Sequence, residues 1–229
     1  MLNLRDNWHF EGGVVMYPGV WIGKDFINAK KKILILGESH YGDNAEMGKV
    51  TYTTKGVIES YLERHDIPFF TKIAKTFGYE NYEEIRKFYN LVCFGNYVNV
   101  IVPKGSGQGK KFIEENRKIY NKELFDFCVN NSIDIIACFS MESYWNLPSE
   151  GEGLGTETII REDRKSLKTR KWIYKKGTLE NDSMILDKDL FVYGICHPSW
   201  QGGYDAKLEY EKYIKNQQEL KWLCNKHAI

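Results

Sequence analysis

Residues 32–43 read Lys-Ile-Leu-Ile-Leu-Gly-Glu-Ser-His-Tyr-Gly-Asp. An unbroken apolar run with isoleucine at alternate positions predicts a strand over Lys32–Leu36 that is buried on both faces, because a strand with one solvated face would alternate apolar and polar residues. The run stops at Gly37, and the polar side chains of Glu38, Ser39, His40 and Asp43 follow almost at once. Gly37 and Gly42 are expected to let the backbone turn sharply and come close to a ligand. Polar groups crowded at the end of a buried strand are costly unless they are paired or solvated. In open α/β sheets, ligands bind beyond the carboxyl ends of the strands. This one stretch therefore predicts a buried sheet and the first wall of a site.

Three further apolar runs, Tyr97–Val102, Asp134–Phe139 and Leu190–Cys196, read as companion strands, each ending in polar or turn-forming residues. Helical patterns lie between them at Thr54–Arg64, Phe69–Phe77, Tyr82–Asn90 and Lys111–Asn131, the last with Phe112, Ile119, Leu124, Phe127 and Cys128 on one face. Asp205 is placed to cap a final helix over Ala206–Asn225 carrying Leu208, Ile214, Leu220 and Leu223. Strands alternating with helices predict an α/β fold: a three-layer α/β/α arrangement with a central, mainly parallel four-stranded sheet. Residues 1–229 read as a single domain with a charged hairpin inserted near 156–176. From Arg161 to Lys176 there are eight basic residues against Glu162 and Asp163. Such a run is a solvated hairpin or a contact to a phosphate backbone.

At 42% hydrophobic residues the chain can fill a core, and 15 Tyr, 12 Phe and 6 Trp make that core aromatic. A net charge of +1 leaves nucleic-acid binding open. No segment approaches the ~18 apolar residues of a membrane span and no secretory pattern opens the chain, so a cytoplasmic protein without membrane contact is expected. The five cysteines show no CxxC spacing and read as reduced thiols.

Four segments carry candidate chemistry. Beside residues 36–43 stand Asn99 inside the second predicted strand, the Gly-rich Lys104–Lys111 (KGSGQGKK) after it, and Cys196-His197-Pro198-Ser199-Trp200 after the last. Asn99 has the donor and acceptor needed to read a planar, amide-like ligand edge. The Gly-rich segment lacks the spacing and the Ser or Thr of a nucleotide-cradling loop, but its amides at a helix start are suited to one phosphate. His197, held by Pro198, is placed to aim a ring nitrogen at a ligand.

Taken in order, ILILGESHYGD (33–43), FFTKI (69–73), YVNVIVP (97–103), IIACFSMESYW (135–145) and VYGICHPSW (192–200) resemble the uracil-DNA glycosylase superfamily. The resemblance implies a protein that binds a flipped nucleobase and hydrolyses its N-glycosidic bond, with nucleic acid, DNA foremost, or a nucleobase-containing ligand as partner and no metal or cofactor. It implies His197 as donor to the departing base and Ser39 or Glu38 as the water-activating group. Asn99, Tyr41, Gly37 and Phe70 would form the base pocket, and Ser199, Lys110 and Lys111 would grip phosphates. Two positions depart from the family pattern: Ser39 stands where the family often has Asp or Asn, and His40 where it usually has Pro. The neutral Ser39 also fits a base-binding module without activity. A serine hydrolase using Ser39 and His197 is a third reading, although the residue two after Ser39 is Tyr41 where a nucleophile elbow needs Gly.

Overall fold

The computed structural model describes residues 9–11, 14–16, 19–42, 53–103, 108–149, 156–162, 168–178, 185–199 and 203–225. In chain order its elements are β1 (His9–Glu11), β2 (Val14–Met16), β3 (Trp21–Ile22), β4 (Ile33–Gly37), β5 (His40–Gly42), α1 (Thr53–Arg64), α2 (Pro68–Thr76), α3 (Tyr82–Leu91), β6 (Cys93–Asn96), β7 (Ile101–Pro103), α4 (Gln108–Asn130), β8 (Ile135–Cys138), α5 (Met141–Asn146), β9 (Thr156–Glu162), β10 (Lys168–Tyr174), β11 (Leu190–Gly194), α6 (Ala206–Lys212) and α7 (Lys221–Cys224).

Every residue of β4 is buried, because helices cover both faces of the sheet. Ile33 and Ile35 pack with α1, α2 and α3 through Ile58, Phe70, Ile73 and Phe88, while Leu34 and Leu36 pack on the other face with Leu124, Phe125 and Cys128 of α4. The alternation of side chains along a strand thus feeds two aromatic-rich layers from one five-residue run.

The main sheet has seven strands in the order β3-β6-β4-β8-β11-β10-β9. Its centre, β6-β4-β8-β11, is parallel, whereas β3 at one edge and the β10–β9 hairpin at the other are antiparallel. The expected four-stranded sheet is therefore the middle of a larger, mixed one. The 156–176 hairpin extends that sheet instead of standing off it. Three of its basic side chains are paired with acids of other strands and loops: Arg170 with Glu157 at 2.7 Å, Lys171 with Glu219 at 2.6 Å and, at the surface, Lys175 with Asp189 at 2.8 Å. Counting charge along the run missed partners that arrive from other elements.

Three sequence expectations are corrected. The second sheet strand is Cys93–Asn96, not Tyr97–Val102; the later run leaves the sheet, and its end forms β7, which pairs with β5 in a separate parallel ribbon. Both runs are apolar and buried, so composition does not separate them, and only pairing with β4 does. The final helix stops at Lys212, and two short 3₁₀ turns precede α7. There the side-chain amides of Asn216 and Gln217 take the carbonyls of Lys212 and Tyr213 that a continuing helix would use. On α4 Ile119 is exposed, and Ile113, Tyr120 and Phe125 join Leu124, Phe127 and Cys128 in the core. Asp205 does cap α6, accepting from the amides of Lys207 and Leu208 at 3.0 Å. All five cysteines are free thiols, with Cys93, Cys128 and Cys138 buried. Among the described residues no helix is long and apolar enough to cross a membrane.

The amino ends of the central strands are tied together by Asp134. Its carboxylate accepts from the Lys32 amide at 2.8 Å and the Lys188 ammonium at 2.9 Å. Partial burial works to raise its pKa, but these donors, with Lys31, outweigh it and hold the carboxyl below its ordinary 3.8. A carboxyl depressed in the folded state stabilises fully above its ordinary value and loses that contribution as pH falls through the folded one. Asp134→Ala is expected to lower stability by roughly 1–3 kcal/mol near neutrality. Urea unfolding as a function of pH checks this: the gap from the parent should narrow below pH 3.8.

Candidate functional site

The carboxyl end of β4 meets that of β6 in register, with Gly37 beside Asn96. A Cβ built on Gly37 would lie 2.4 Å from Asn96 Oδ1 and 3.3 Å from the Phe94 ring. Neither Gly37 nor Gly42 has a positive φ. Gly37 is needed for close approach by a neighbouring side chain rather than for a turn.

Beyond this point opens a cavity of about 520 Å³, within the range of small-molecule sites. Its walls come from four places. Gly37, Glu38, Ser39, His40 and Tyr41 form one side; Thr54 and Val57 of α1 adjoin them. Ile67, Phe69 and Phe70 enter from the start of α2, with Phe94 and Asn96 from β6. His197 and Ser199 close the remaining side from the segment after β11. The structure thus brings together Gly37, Glu38, Ser39, Tyr41, Phe70, His197 and Ser199 from the candidates named by sequence.

His197 is fixed by two contacts of its own and one on the residue after it. Its ring stacks on Phe69 with centroids 5.0 Å apart, and its Nδ1 accepts from the Ser199 amide at 3.2 Å. The Lys72 ammonium holds the next carbonyl, Pro198 O, at 2.8 Å. Burial pushes the imidazole below its ordinary 6.5; Glu38 opposes that shift and Lys72 adds to it. A neutral ring whose Nδ1 is an acceptor carries its hydrogen on Nε2, so His197 is a donor through that atom.

Glu38 is held at both oxygens. Oε1 accepts from the Tyr41 hydroxyl and Oε2 from Ser140 Oγ at 2.7 Å. Ser140 is the N-cap of α5, so the carboxylate is anchored to a helix start. Burial, followed by the bond to Glu38, pushes the Tyr41 phenol up to about 12, which keeps it a neutral donor. Ser39 Oγ is buried and lies against the Tyr41 phenol, whose upward shift it opposes. It lies in the connection between two strands, β4 and β5, with no helix following it directly, so the strand–turn–helix of a nucleophile elbow is absent. No hydrogen bond joins Ser39 to His197 among those formed by the described residues.

Other candidates fall elsewhere. Asn99 is buried on the α4 side, hydrogen-bonded to Glu123, and does not line the cavity. The amide at the cavity is Asn96, because β6 ends three residues before the run read as a strand. Lys110, in the first turn of α4, pairs at 3.7 Å with Glu114 and Glu142 and stays outside the cavity. Lys111 follows it in that turn. Residues 104–107, Asp43 and Trp200 lie outside the described residues. Sequence reading gave no site role to Asn96, Thr54, Phe69, Lys72 or Ser140. Asn96 had a signal, since a polar residue closes the apolar run Leu91–Phe94 as Glu38 closes the first; Thr54 and Ser140 had none.

No protein-family model matches this sequence, and no curated protein matches it. The function is therefore argued from the cavity's own residues.

Gly37→Ala is expected to displace the Asn96 side chain and to cost roughly 1–3 kcal/mol through overpacking. Denaturant unfolding measures the cost, and a crystal structure of the variant should show the carboxamide moved off residue 37.

Proposed function

We propose that the cavity holds a nucleobase extruded from a nucleic-acid strand and that the chain hydrolyses its N-glycosidic bond, as the resemblance to the uracil-DNA glycosylase superfamily implies. The observation that carries this reading is that His197, the Glu38–Tyr41 turn and Asn96, from three separate strand ends, face one aromatic-walled cavity. Phe69, Phe70, Phe94 and Tyr41 offer surfaces on which a planar base can lie. Asn96, in place of Asn99, reads the base edge with its paired donor and acceptor.

When the bond between sugar C1′ and base nitrogen breaks, its electron pair leaves with the base and the sugar becomes oxocarbenium-like. The His197 Nε2–H hydrogen bond stabilises the departing anion, and a neutral donor needs no prior protonation. Glu38 supplies the negative charge that Ser39 lacks. Its second lone pairs are available to a water that adds to C1′ and gives up its proton to the carboxylate. Ser199 and, beyond the rim, Lys110 are suited to flanking phosphates. The ion pairs of Lys110 are exposed and weak enough to be exchanged.

The test is incubation of the protein with oligonucleotides carrying uracil, hypoxanthine or alkylated bases, followed by detection of abasic sites. His197→Ala is expected to slow cleavage by roughly 10²- to 10³-fold. Glu38→Gln should lose far more rate than Ser39→Ala. The neutral Ser39 favours one second reading, a base-binding module without turnover; tight binding with no abasic product from any oligonucleotide would establish that instead.

A further inference from the structure

A second cavity, of about 530 Å³, opens on a different face of α2. Pro68, Thr71, Lys72 and Lys75 line it at helical spacing, whereas Phe69 and Phe70 line the first cavity. The opening turn of α2 is therefore a partition between two cavities. Lys72 joins them: it lines the second and donates at 2.8 Å to Pro198 O, next in sequence to Ser199 of the first. We propose that the second cavity takes a nucleotide unit, an aromatic base with its phosphate, and that its occupant is the neighbour in the strand of the nucleotide whose base fills the first. This rests on the nucleobase reading above.

The surface for the base is Tyr82. It opens α3, lines the second cavity and is 59% exposed. Its ring is stacked on His65, with centroids 4.1 Å and planes 29° apart. His65 follows the end of α1 with a φ of 57°, a left-handed conformation that strains any residue carrying a Cβ. Its Nδ1 is buried and has no hydrogen-bond partner among the described residues. Both features cost stability, and a glycine at that position would avoid both. What His65 supplies instead is a flat ring beneath Tyr82. An exposed, backed aromatic ring is a platform on which any base can lie, because every base has a π-face.

The charge for the phosphate is on α2. Lys72 and Lys75 are partly buried, and among the described residues no carboxylate lies within ion-pair distance of either. An ammonium has three hydrogens, so Lys72 can keep Pro198 O and still donate to a phosphate oxygen. Two carboxylates line the same cavity. Asp66 is engaged by Arg64 at 3.3 Å, and Glu80 is exposed, where solvent screens it. Phe69 and Lys72 are separated by roughly 5 Å along the helix axis. A strand that leaves its base beside Phe69 thus brings its next phosphate to Lys72. A base lying on Tyr82 is out of the duplex stack, so the subsite is open only to an unpaired neighbour.

The experiment uses short single-stranded oligonucleotides with one central 2′-fluorodeoxyuridine, which resists hydrolysis, read by fluorescence anisotropy with the full chain. The central unit is flanked either by thymidines or by tetrahydrofuran abasic units, which keep the phosphates and remove the bases. The thymidine-flanked probe should bind more tightly by on the order of tenfold. Tyr82→Ala should bring that ratio near one, Tyr82→Phe should keep it, and annealing the probe to its complement should remove it. Lys75→Ala should weaken both probes and lower the slope of log affinity against log salt by about one. Far-ultraviolet circular dichroism confirms folding, and Tyr82→Leu serves if the alanine variant does not fold. A parent ratio of one, or a ratio that survives Tyr82→Ala and Tyr82→Leu, would overturn the subsite. The first cavity's reading would still stand if an abasic unit at the centre weakened binding. A central abasic unit bound as well as the central uridine would overturn the nucleobase reading together with the inference. Tyr82-dependent binding of free thymidine monophosphate that leaves the oligonucleotide's affinity untouched would overturn the strand as occupant and assign the cavity to a free nucleotide.

Discussion

Strands β4 and β6 run parallel in a register that sets Gly37 beside Asn96, and the Asn96 carboxamide fills the volume that any side chain at residue 37 would need. The rest of the site is laid out around this contact. It brings Asn96 within reach of Thr54 on α1, and it leaves the backbone carbonyls of Gly37 and Glu38 to receive the amides of Tyr97 and Val98 at 2.9 and 3.0 Å. Those two bonds carry the chain out of the sheet immediately after Asn96. The strand therefore ends where its polar residue can face the cavity, and the apolar run that follows is released to pair with β5. A buried amide is tolerated here because a partner meets it.

Electrostatically the cavity is built from groups that burial keeps neutral and one carboxylate whose oxygens are both engaged. His40 and His197 are each pushed toward the uncharged form, Tyr41 is kept protonated, and Glu38 is held by two hydroxyl donors. Weak local screening makes each oriented hydrogen bond count for more than it would in water, and makes an unmet one correspondingly costly. A site of this kind gains from fixing the direction of its donors before a ligand arrives. The stacking of His197 on Phe69 and the grip of Lys72 on Pro198 serve that end from a neighbouring helix.

The sequence carried the layers and one side of the cavity plainly, because both follow from patterns within a few residues of each other. The ILILG run could only be a strand covered on both faces, and the polar cluster after it and His197-Pro198-Ser199 had to sit at strand ends. What failed depended on pairing between distant segments. Whether LVCFGN or YVNVIV entered the sheet turned on which of them met β4, and the error put Asn99 in place of Asn96 as the amide at the cavity. Thr54 and Ser140 are ordinary helix-start residues until the fold places Asn96 and Glu38 against them. Charge counting failed for the same reason at Arg170 and Lys171, whose acidic partners lie 13 and 48 residues away.

That last point bears on how a nucleic-acid partner would be held. Affinity from phosphate contacts grows with the number of cations free to displace counterions. In β10, Arg170, Lys171 and the adjoining Lys175 are committed to Glu157, Glu219 and Asp189, and the whole chain has a net charge of only +1. Arg170 is nearly buried beneath Trp145, with its guanidinium 4.8 Å from the ring, so freeing it would expose an acid and strip an aromatic contact at once. A strand bound to this surface would thus draw little from those three side chains, and more of the interaction must come from the base inside the cavity. On the nucleobase reading, stacking on the aromatic walls and recognition of the base edge would then hold the ligand as well as select it.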